Sequence, residues 1–238
     1  MSIARFGYLR VGLVLSILAL AVVAVFMFVA PRIGMPMVPG TTRFDGWGYS
    51  AGTESDGSTI AHVESDRATV ADLHRYAATN KTIARELTTA GVTAFAATIS
   101  FRKPLPIDEF VVWAGKSPIV VEAFQLRIIG TNGEKWTMGG APRRGELIAA
   151  SDLERNLSDM RTRGGTDVRG VIVVEGKVEA SAYERVANDP AVFVADITRS
   201  AAREHIVKTM RGVNPSRISV ILAPVYGRME DLGLDNFR

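Results

Sequence analysis

An uncharged run near the start of the chain, the 20 residues from Val11 to Ala30, constrains this sequence more than any other feature. A helix of this length spans about 30 Å, the thickness of the hydrocarbon core of a bilayer. A basic start followed by an apolar stretch is also typical of cleaved signal peptides. Bulky Phe28 and the helix-breaking Pro31 flank Ala30 and make a poor cleavage site there. The run therefore predicts an uncleaved transmembrane anchor.

Charges on either side of this run predict its orientation. Arg5, Arg10 and the free amino terminus lie before it. Arg32 and the more distant Arg43 follow it. This excess of positive charge favours a cytoplasmic tail of residues 1–10, with the rest of the chain on the extracytoplasmic side of the membrane.

Composition limits the chemistry that the rest of the chain can perform. The 238 residues are 47% apolar and 22% charged, which is enough material for a sizeable domain. The absence of cysteine excludes disulfides, thiolate metal sites and cysteine nucleophiles. Acidic and basic residues almost balance beyond the anchor, so the pI of 9.3 is no evidence for a nucleic-acid partner. We predict no cofactor and no nucleic acid.

A segment rich in proline and glycine follows the anchor. Residues 31–58 show no sustained helical or strand period, so they predict a flexible tether. Phe44, Trp47 and Tyr49 lie among these glycines and are candidate anchors for a partner. The alternative, favoured here, is that these rings pack back onto the domain.

The sequence predicts an α+β domain over residues 59–223 and a C-terminal tail over 224–238. Apolar residues recur at helical steps between Ser65 and Ala90 and predict one or two helices. Asn80 falls on the apolar face of this segment. It either caps a second helix or is a half-buried polar residue that needs a partner.

Changes of period predict further elements along the domain. They are a strand at 92–101, a helix at 107–114, strands at 119–129 and 134–138 joined by a hairpin turn at Asn132-Gly133, a helix opening at 151, a strand at 168–174, a helix at 180–188, a strand at 192–197, a helix opening at Ser200 and a strand at 218–223. The last strand is either paired within the domain or offered to a partner.

The segment from Gly170-Val-Ile-Val-Val-Glu-Gly through Tyr183 and Asp189-Pro190 to Asp196 resembles the second half of subtilisin-type protease propeptides. The resemblance covers residues 170–197 and implies a strand, a helix, an Asp-Pro turn and a strand. If the strand at 92–101, the helix at 107–114 and the strand at 119–129 form the first half, the resemblance implies a ferredoxin-like split βαβ core. The predicted fold class is therefore α+β, with this core, an inserted hairpin and helix, and one N-terminal transmembrane helix.

Catalytic templates do not fit the sequence. The three histidines, His62, His74 and His205, are far apart and have no metal-ligand spacing. There is no GxSxG motif, and the segment from Ser200 to Arg203 offers an arginine where a lysine base would be needed. The hydroxyl of Ser200 is interpreted as a helix cap.

A basic, glycine-rich loop is the candidate anion site. Arg143 and Arg144 lie in it, although it lacks the lysine and hydroxyl pair of a P-loop. Phe237, in the C-terminal tail, is a further candidate contact for a partner.

The sequence predicts a protein that is not an enzyme, because it has a predicted anchor and tether and matches no catalytic motif. We predict a single-pass, membrane-anchored extracytoplasmic binding or scaffold subunit of the cell envelope. Its partners would be the lipid bilayer, through residues 11–30, and an envelope protein, while self-association is left open. The alternatives are a membrane-tethered, propeptide-like regulator of a protease, and an anion-binding enzyme or sensor domain.

Overall fold

The computed structural model describes residues 42–143, 145–162 and 164–235. The predicted cytoplasmic tail, the anchor at 11–30 and the first part of the tether lie outside the described residues, as do Arg144 and Phe237. Among the helices that are described, none combines the length and the apolar character needed to cross a membrane.

Nine strands of the described chain form two sheets. The strands are β1 (Thr42–Phe44), β2 (Trp47–Thr53), β3 (Thr59–Ser65), β4 (Ala94–Leu105), β5 (Ile119–Gly130), β6 (Lys135–Gly140), β7 (Gly165–Glu179), β8 (Val192–Asp196) and β9 (Ile218–Ile221). The first sheet has the order β1-β2-β3-β9 and the second β6-β5-β7-β4-β8. Strand β9 runs parallel to β3, and the other pairs are antiparallel.

Six α-helices connect and cover these strands in the described part of the chain. They are α1 (Val70–Thr89), α2 (Ile107–Lys116), α3 (Ala150–Thr162), α4 (Tyr183–Ala187), α5 (Thr198–Thr209) and α6 (Tyr226–Asp231). Short 3₁₀ turns at Ala180–Ala182 and Pro215–Arg217 precede α4 and β9.

Two apolar clusters form the core, and strands β7 and β8 contribute side chains to both. One cluster contains Phe110 of α2 and Tyr183 of α4. The other contains Tyr49 of the first sheet, Ile206 of α5 and Met229 of α6. The second sheet is therefore covered on both faces, which explains why β8 is buried along its whole length.

Helix α1 is a single helix that runs through Asn80. It begins with a capping box in which the Thr69 hydroxyl accepts from Asp72 N and the Asp72 carboxylate accepts from Thr69 N. Asn80 is fully buried in the middle of this helix. Its side chain donates to Tyr76 O at 3.1 Å and accepts from Ile197 N at 2.7 Å. Asn80 is thus a buried polar residue whose partners lie on α1 and just after β8.

The predicted fold class, a ferredoxin-like split βαβ core with an inserted hairpin and helix plus one N-terminal transmembrane helix, is wrong as a description of the domain, because the chain has a further four-stranded sheet that this prediction lacks. The core itself is present in the second sheet. Strands β5, β7, β4 and β8 lie in the antiparallel order of a split βαβ fold, with β6 and α3 inserted between β5 and β7.

The missed sheet begins inside the segment that we interpreted as a tether. Trp47, Tyr49 and Ala51 are buried at alternate positions of β2, which is strand periodicity. Gly48 and Ser50 between them hid this pattern, and the tether prediction is wrong for residues 42–53.

Individual elements agree more closely with the sequence. The helix predicted at 107–114 is α2, and the Asn132-Gly133 hairpin joins β5 to β6. Gly133 has a φ of +81°, as a tight turn at this position requires. The strand predicted at 218–223 is β9, which pairs within the domain on one side.

Candidate functional site

A groove of about 370 Å³ lies where the two sheets approach each other. The start of β4, the edge strand β9 and helix α5 provide most of its walls. The lining residues are Val92, Ala94, Phe95, Ala96, Lys177, Arg199, Ser200, Arg203, Glu204, Val207, Pro215, Ile218 and Val220. Residues from distant parts of the sequence thus meet in one concave surface.

Strand β9 forms one wall of the groove and is the edge of the first sheet. It pairs only with β3, through the register Ile60 with Ser219 and Ala61 with Val220. Ile218 and Val220 are half-buried and line the groove. An edge strand leaves one side of its backbone without strand hydrogen bonds, so it can accept a further strand from a partner.

The opposite wall, at the start of β4, has its backbone occupied. Pairing with β8 begins only at Thr98, which leaves Ala96 beyond the end of that ladder. The hydroxyl of Ser200 accepts from Ala96 N at 2.8 Å and donates to Ala96 O at 3.1 Å. The interpretation of Ser200 as a helix cap is therefore wrong, since this hydroxyl replaces a missing strand partner. Of the two walls, β9 is the one with an open backbone edge.

Cationic side chains surround the groove. Arg199 donates to Glu175 at 2.9 Å, and Lys177 lies 3.1 Å from Glu122. The exposed Arg203 donates to the backbone oxygen of Pro215 at 2.8 Å. A backbone oxygen carries no full charge, so Arg203 keeps its positive charge without neutralisation by that contact.

Glu204 is the single acidic side chain among the described residues that line the groove, against Lys177, Arg199 and Arg203. Glu122 and Glu175, just outside the lining, pair with Lys177 and Arg199, so the positive charge that a partner meets is that of Arg203. A partner segment with a carboxylate opposite Arg203 would gain charge-assisted hydrogen bonds, whereas a basic one would be repelled.

Two of the aromatic residues predicted as partner anchors, Trp47 and Tyr49, lie in the second cluster of the core, and the half-buried Phe44 packs against that cluster. Trp47 and Tyr49 are each 3% exposed. Phe44 stacks on Trp47 with ring centroids 4.3 Å apart. The Tyr49 hydroxyl is hydrogen-bonded to Nδ1 of His205 at 2.6 Å. This is the arrangement expected if these rings pack back onto the domain.

A buried polar cluster links α1 to the end of β8. The Tyr76 hydroxyl lies 2.8 Å from an Asp196 carboxylate oxygen and 2.8 Å from the Thr198 hydroxyl. Burial, and then the negative charge of Asp196, raise the pKa of Tyr76 well above its usual value. These groups satisfy one another and are at most 1% exposed, so their arrangement is structural and offers no access to a substrate.

The predicted anion site is only partly described. Arg143 lines a second, smaller cavity together with Arg155 of α3, and Arg144 is outside the described residues. His62, His74 and His205 do not come together. Across residues 42–143, 145–162 and 164–235, no cluster of histidine, aspartate or glutamate side chains could hold a metal ion.

No family model, curated protein or solved structure matches the chain. Sequence reasoning found the strand that forms one wall of the groove but not the cations that surround it. Lys177 and Arg203 belong to separate elements, β7 and α5, so no local motif contains both.

Proposed function

We propose that this chain is a membrane-anchored, non-catalytic binding subunit of the cell envelope. Residues 11–30 would hold it at the bilayer, and the described domain would bind an extended segment of another envelope protein. The observation that carries the proposal is the open edge of β9 beside a groove at which Arg203 is exposed and, within the described part of the chain, is hydrogen-bonded only to a neutral backbone oxygen.

Strand addition at β9 supplies both affinity and selectivity. The backbone of the incoming segment pairs with the free side of Ile218–Ile221, and its alternate side chains enter the groove beside Ile218 and Val220. Ile221 is 49% exposed and provides apolar contact on the opposite face of the added strand.

Charge complementarity identifies the class of segment. Arg203 favours a β-prone segment that carries a glutamate or aspartate at a groove-facing position. The occupant we propose is such an acidic extended segment of a partner. Pairing of two β9 edges from two copies of this chain would bring no carboxylate to Arg203, because Ile218–Ile221 carry no charge.

A defined pair of peptides tests the binding site. The full chain in nanodiscs is mixed with an extended Thr/Val peptide that carries one central glutamate, or with the same peptide carrying lysine. We expect the acidic peptide to slow amide exchange at Ile218–Ile221 and to bind at least tenfold more tightly than the basic one. The variant Arg203→Glu should reverse this preference, and Arg185→Glu on α4, whose side chain is exposed and outside the groove, should preserve it.

Three results would contradict the proposal. One is a rate of amide exchange at β9 that neither peptide changes. Another is equal affinity of the two peptides, which would show that the charge at the groove does not select the partner. A third is protection of β9 that depends only on the concentration of the chain itself, which would indicate pairing of two copies.

Membrane attachment has a separate test. Cell fractionation should leave the full chain in the membrane fraction, and protease added outside the inner membrane should digest the domain. A freely released polypeptide beginning near Pro31, or a domain protected on the cytoplasmic side, would overturn the localisation without bearing on the groove.

A further inference from the structure

The groove beside β9 (the β9 groove) has its exposed cation at one end of the strand. Arg203 of α5 donates a hydrogen bond to Pro215 O at 2.8 Å. Pro215 opens the 3₁₀ turn that leads directly into β9 at Ile218. The guanidinium is therefore fixed beside the N-terminal end of β9 and not midway along it.

The other arginine at this end of β9 is already paired. Arg217 donates to Asp56 O at 2.6 Å and to the Asp56 carboxylate at 2.9 Å. Arg203 is exposed, and within the described part of the chain its bond to a neutral backbone oxygen is the only hydrogen bond it makes. Because a guanidinium has five N–H donors, Arg203 has donors left for both oxygens of a carboxylate.

The direction of an added strand decides which of its ends meets Arg203. Antiparallel pairing is slightly more stable per residue than parallel pairing. An antiparallel segment would have its C-terminal end beside the N-terminal end of β9, next to Arg203. A parallel segment would bring its N-terminal end there, where the guanidinium would repel a free amino group.

A terminal carboxylate suits this position better than a side-chain carboxylate. Arg203 binds a main-chain oxygen of the turn that continues into β9, and a terminal carboxylate continues the main chain of the added segment. Side chains leave a strand toward its two faces instead. Glu204 also lines the groove, so a carboxylate is favoured only where it reaches Arg203.

We propose that the β9 groove captures the free C-terminus of a partner protein: its last residues add antiparallel to Ile218–Ile221, and its terminal carboxylate is bound by Arg203. This inference rests on the strand addition proposed above and specifies which part of the partner binds. Groove-facing side chains of the segment contact Val220 of β9 and Val207 of α5, which is 40% exposed. Apolar, β-branched residues are therefore expected at alternate positions before the terminus.

Two peptides that differ only at the C-terminus test the proposal. The full chain in nanodiscs is titrated with a short acetylated Thr/Val peptide that ends in a free carboxylate or in a carboxamide. We expect both peptides to slow amide exchange at Ile218–Ile221, and the free acid to bind at least tenfold more tightly. Arg203→Gln should abolish this difference while leaving the affinity for the carboxamide unchanged. Arg185→Gln, at an exposed position outside the groove, should preserve the difference.

A paramagnetic label on the peptide reports the direction of the added strand. The chain has no cysteine, so a nitroxide attached to a single cysteine of the peptide labels the peptide alone. A label near the N-terminus of the peptide should broaden the amide signal of Ile221 more than that of Ile218. A label near its C-terminus should do the reverse.

The possible failures are distinguishable. Equal affinity of the two peptides, with β9 protected by both, would overturn capture of a C-terminus and leave strand addition standing. Stronger broadening of Ile218 than of Ile221 by the N-terminal label would show parallel addition and would also overturn it. Amide exchange at β9 that neither peptide slows would overturn strand addition itself.

Discussion

The guanidinium of Arg127 on β5 and the carboxylate of Glu230 on α6 form an ion pair in which the side chains are only 8% and 9% exposed. Arg127 Nε donates to one carboxylate oxygen at 2.8 Å, and a terminal nitrogen donates to the other. Its remaining nitrogen donates to Trp136 O at 3.0 Å and to the Thr137 hydroxyl at 2.9 Å. This paired contact fixes the C-terminal helix to the second sheet.

Removal of the carboxylate should destabilise the fold strongly. Glu230→Ala leaves a buried, uncompensated cation, so we expect the free energy of unfolding to fall by about 3 to 5 kcal/mol. Glu122 on the same strand provides a control, because it pairs with Lys177 while the two side chains are 50% and 66% exposed. Glu122→Ala should cost less than about 1 kcal/mol. Urea denaturation followed by tryptophan fluorescence measures both, and similar losses would contradict the prediction.

Asn80 should be equally sensitive, for a different reason. Its side-chain oxygen is the partner of Ile197 N, and its amide donates to Tyr76 O. Asn80→Ala leaves a buried N–H without a partner, which costs about 1 to 3 kcal/mol. The control is Asn188→Ala, at an exposed position that contacts Lys81, where we expect a change within about 0.5 kcal/mol. Chemical denaturation of both variants measures the two changes in the free energy of unfolding. An Asn80→Ala protein as stable as the wild type would show that the hydrogen bond from Ile197 N does not stabilise the fold.

Local signals in the sequence predicted helices α1 to α5 and the hairpin, but not α6, which lies in the segment predicted as a C-terminal tail. The start of α2 after Pro106 and the turn at Asn132-Gly133 depend on neighbouring residues alone. The first sheet depends on contacts that are distant in sequence. Strand β9 pairs with β3 in a register that joins Thr59 to Ile218, and no local pattern specifies that partner. The sequence therefore indicated that β9 is a strand, but not which sheet it completes.

The residues of the β9 groove and of the smaller cavity also differ in how far a local pattern reveals them. Arg143 was a candidate because its loop is visibly basic and glycine-rich. Arg155 was not a candidate, since only the packing of α3 brings it to the same cavity. Lys177 and Arg203 reach a common groove only after β7 and α5 have packed, so sequence reasoning missed them. Local composition therefore revealed at most one cationic side chain in each of these two places.

Stability should fall at alkaline pH through Tyr76. Burial first, and Asp196 next, raise the pKa of Tyr76 in the folded state above that of the unfolded chain, which is about 10. The folded state therefore retains this proton at a pH where the unfolded chain has lost it. The resulting stabilisation is complete below about pH 10 and is lost as the pH rises above that value.

The variant Tyr76→Phe isolates this effect. It removes the titrating group together with its hydrogen bond to Asp196, so it should be less stable than the wild type at neutral pH. Between about pH 10 and 12 its unfolding free energy should fall less steeply than that of the wild type. Urea midpoints measured at intervals across this range give the two slopes. Parallel slopes would show that Tyr76 does not contribute to the alkaline loss.

Gly170 and Gly139 should respond in opposite ways to the same substitution. Gly170, on β7, has a φ of +135°, and a Cβ atom there would overlap the backbone of Leu105 and Pro106. Gly170→Ala combines an unfavourable backbone conformation with a steric clash, so it should cost more than about 2 kcal/mol. A Cβ atom at Gly139, on β6, meets no atom within 4 Å. Gly139→Ala should be neutral or stabilising by up to about 1 kcal/mol, because alanine loses less backbone entropy on folding. Thermal unfolding of the two variants tests the pair, and equal shifts in Tm would exclude the close approach of β7 to the end of β4.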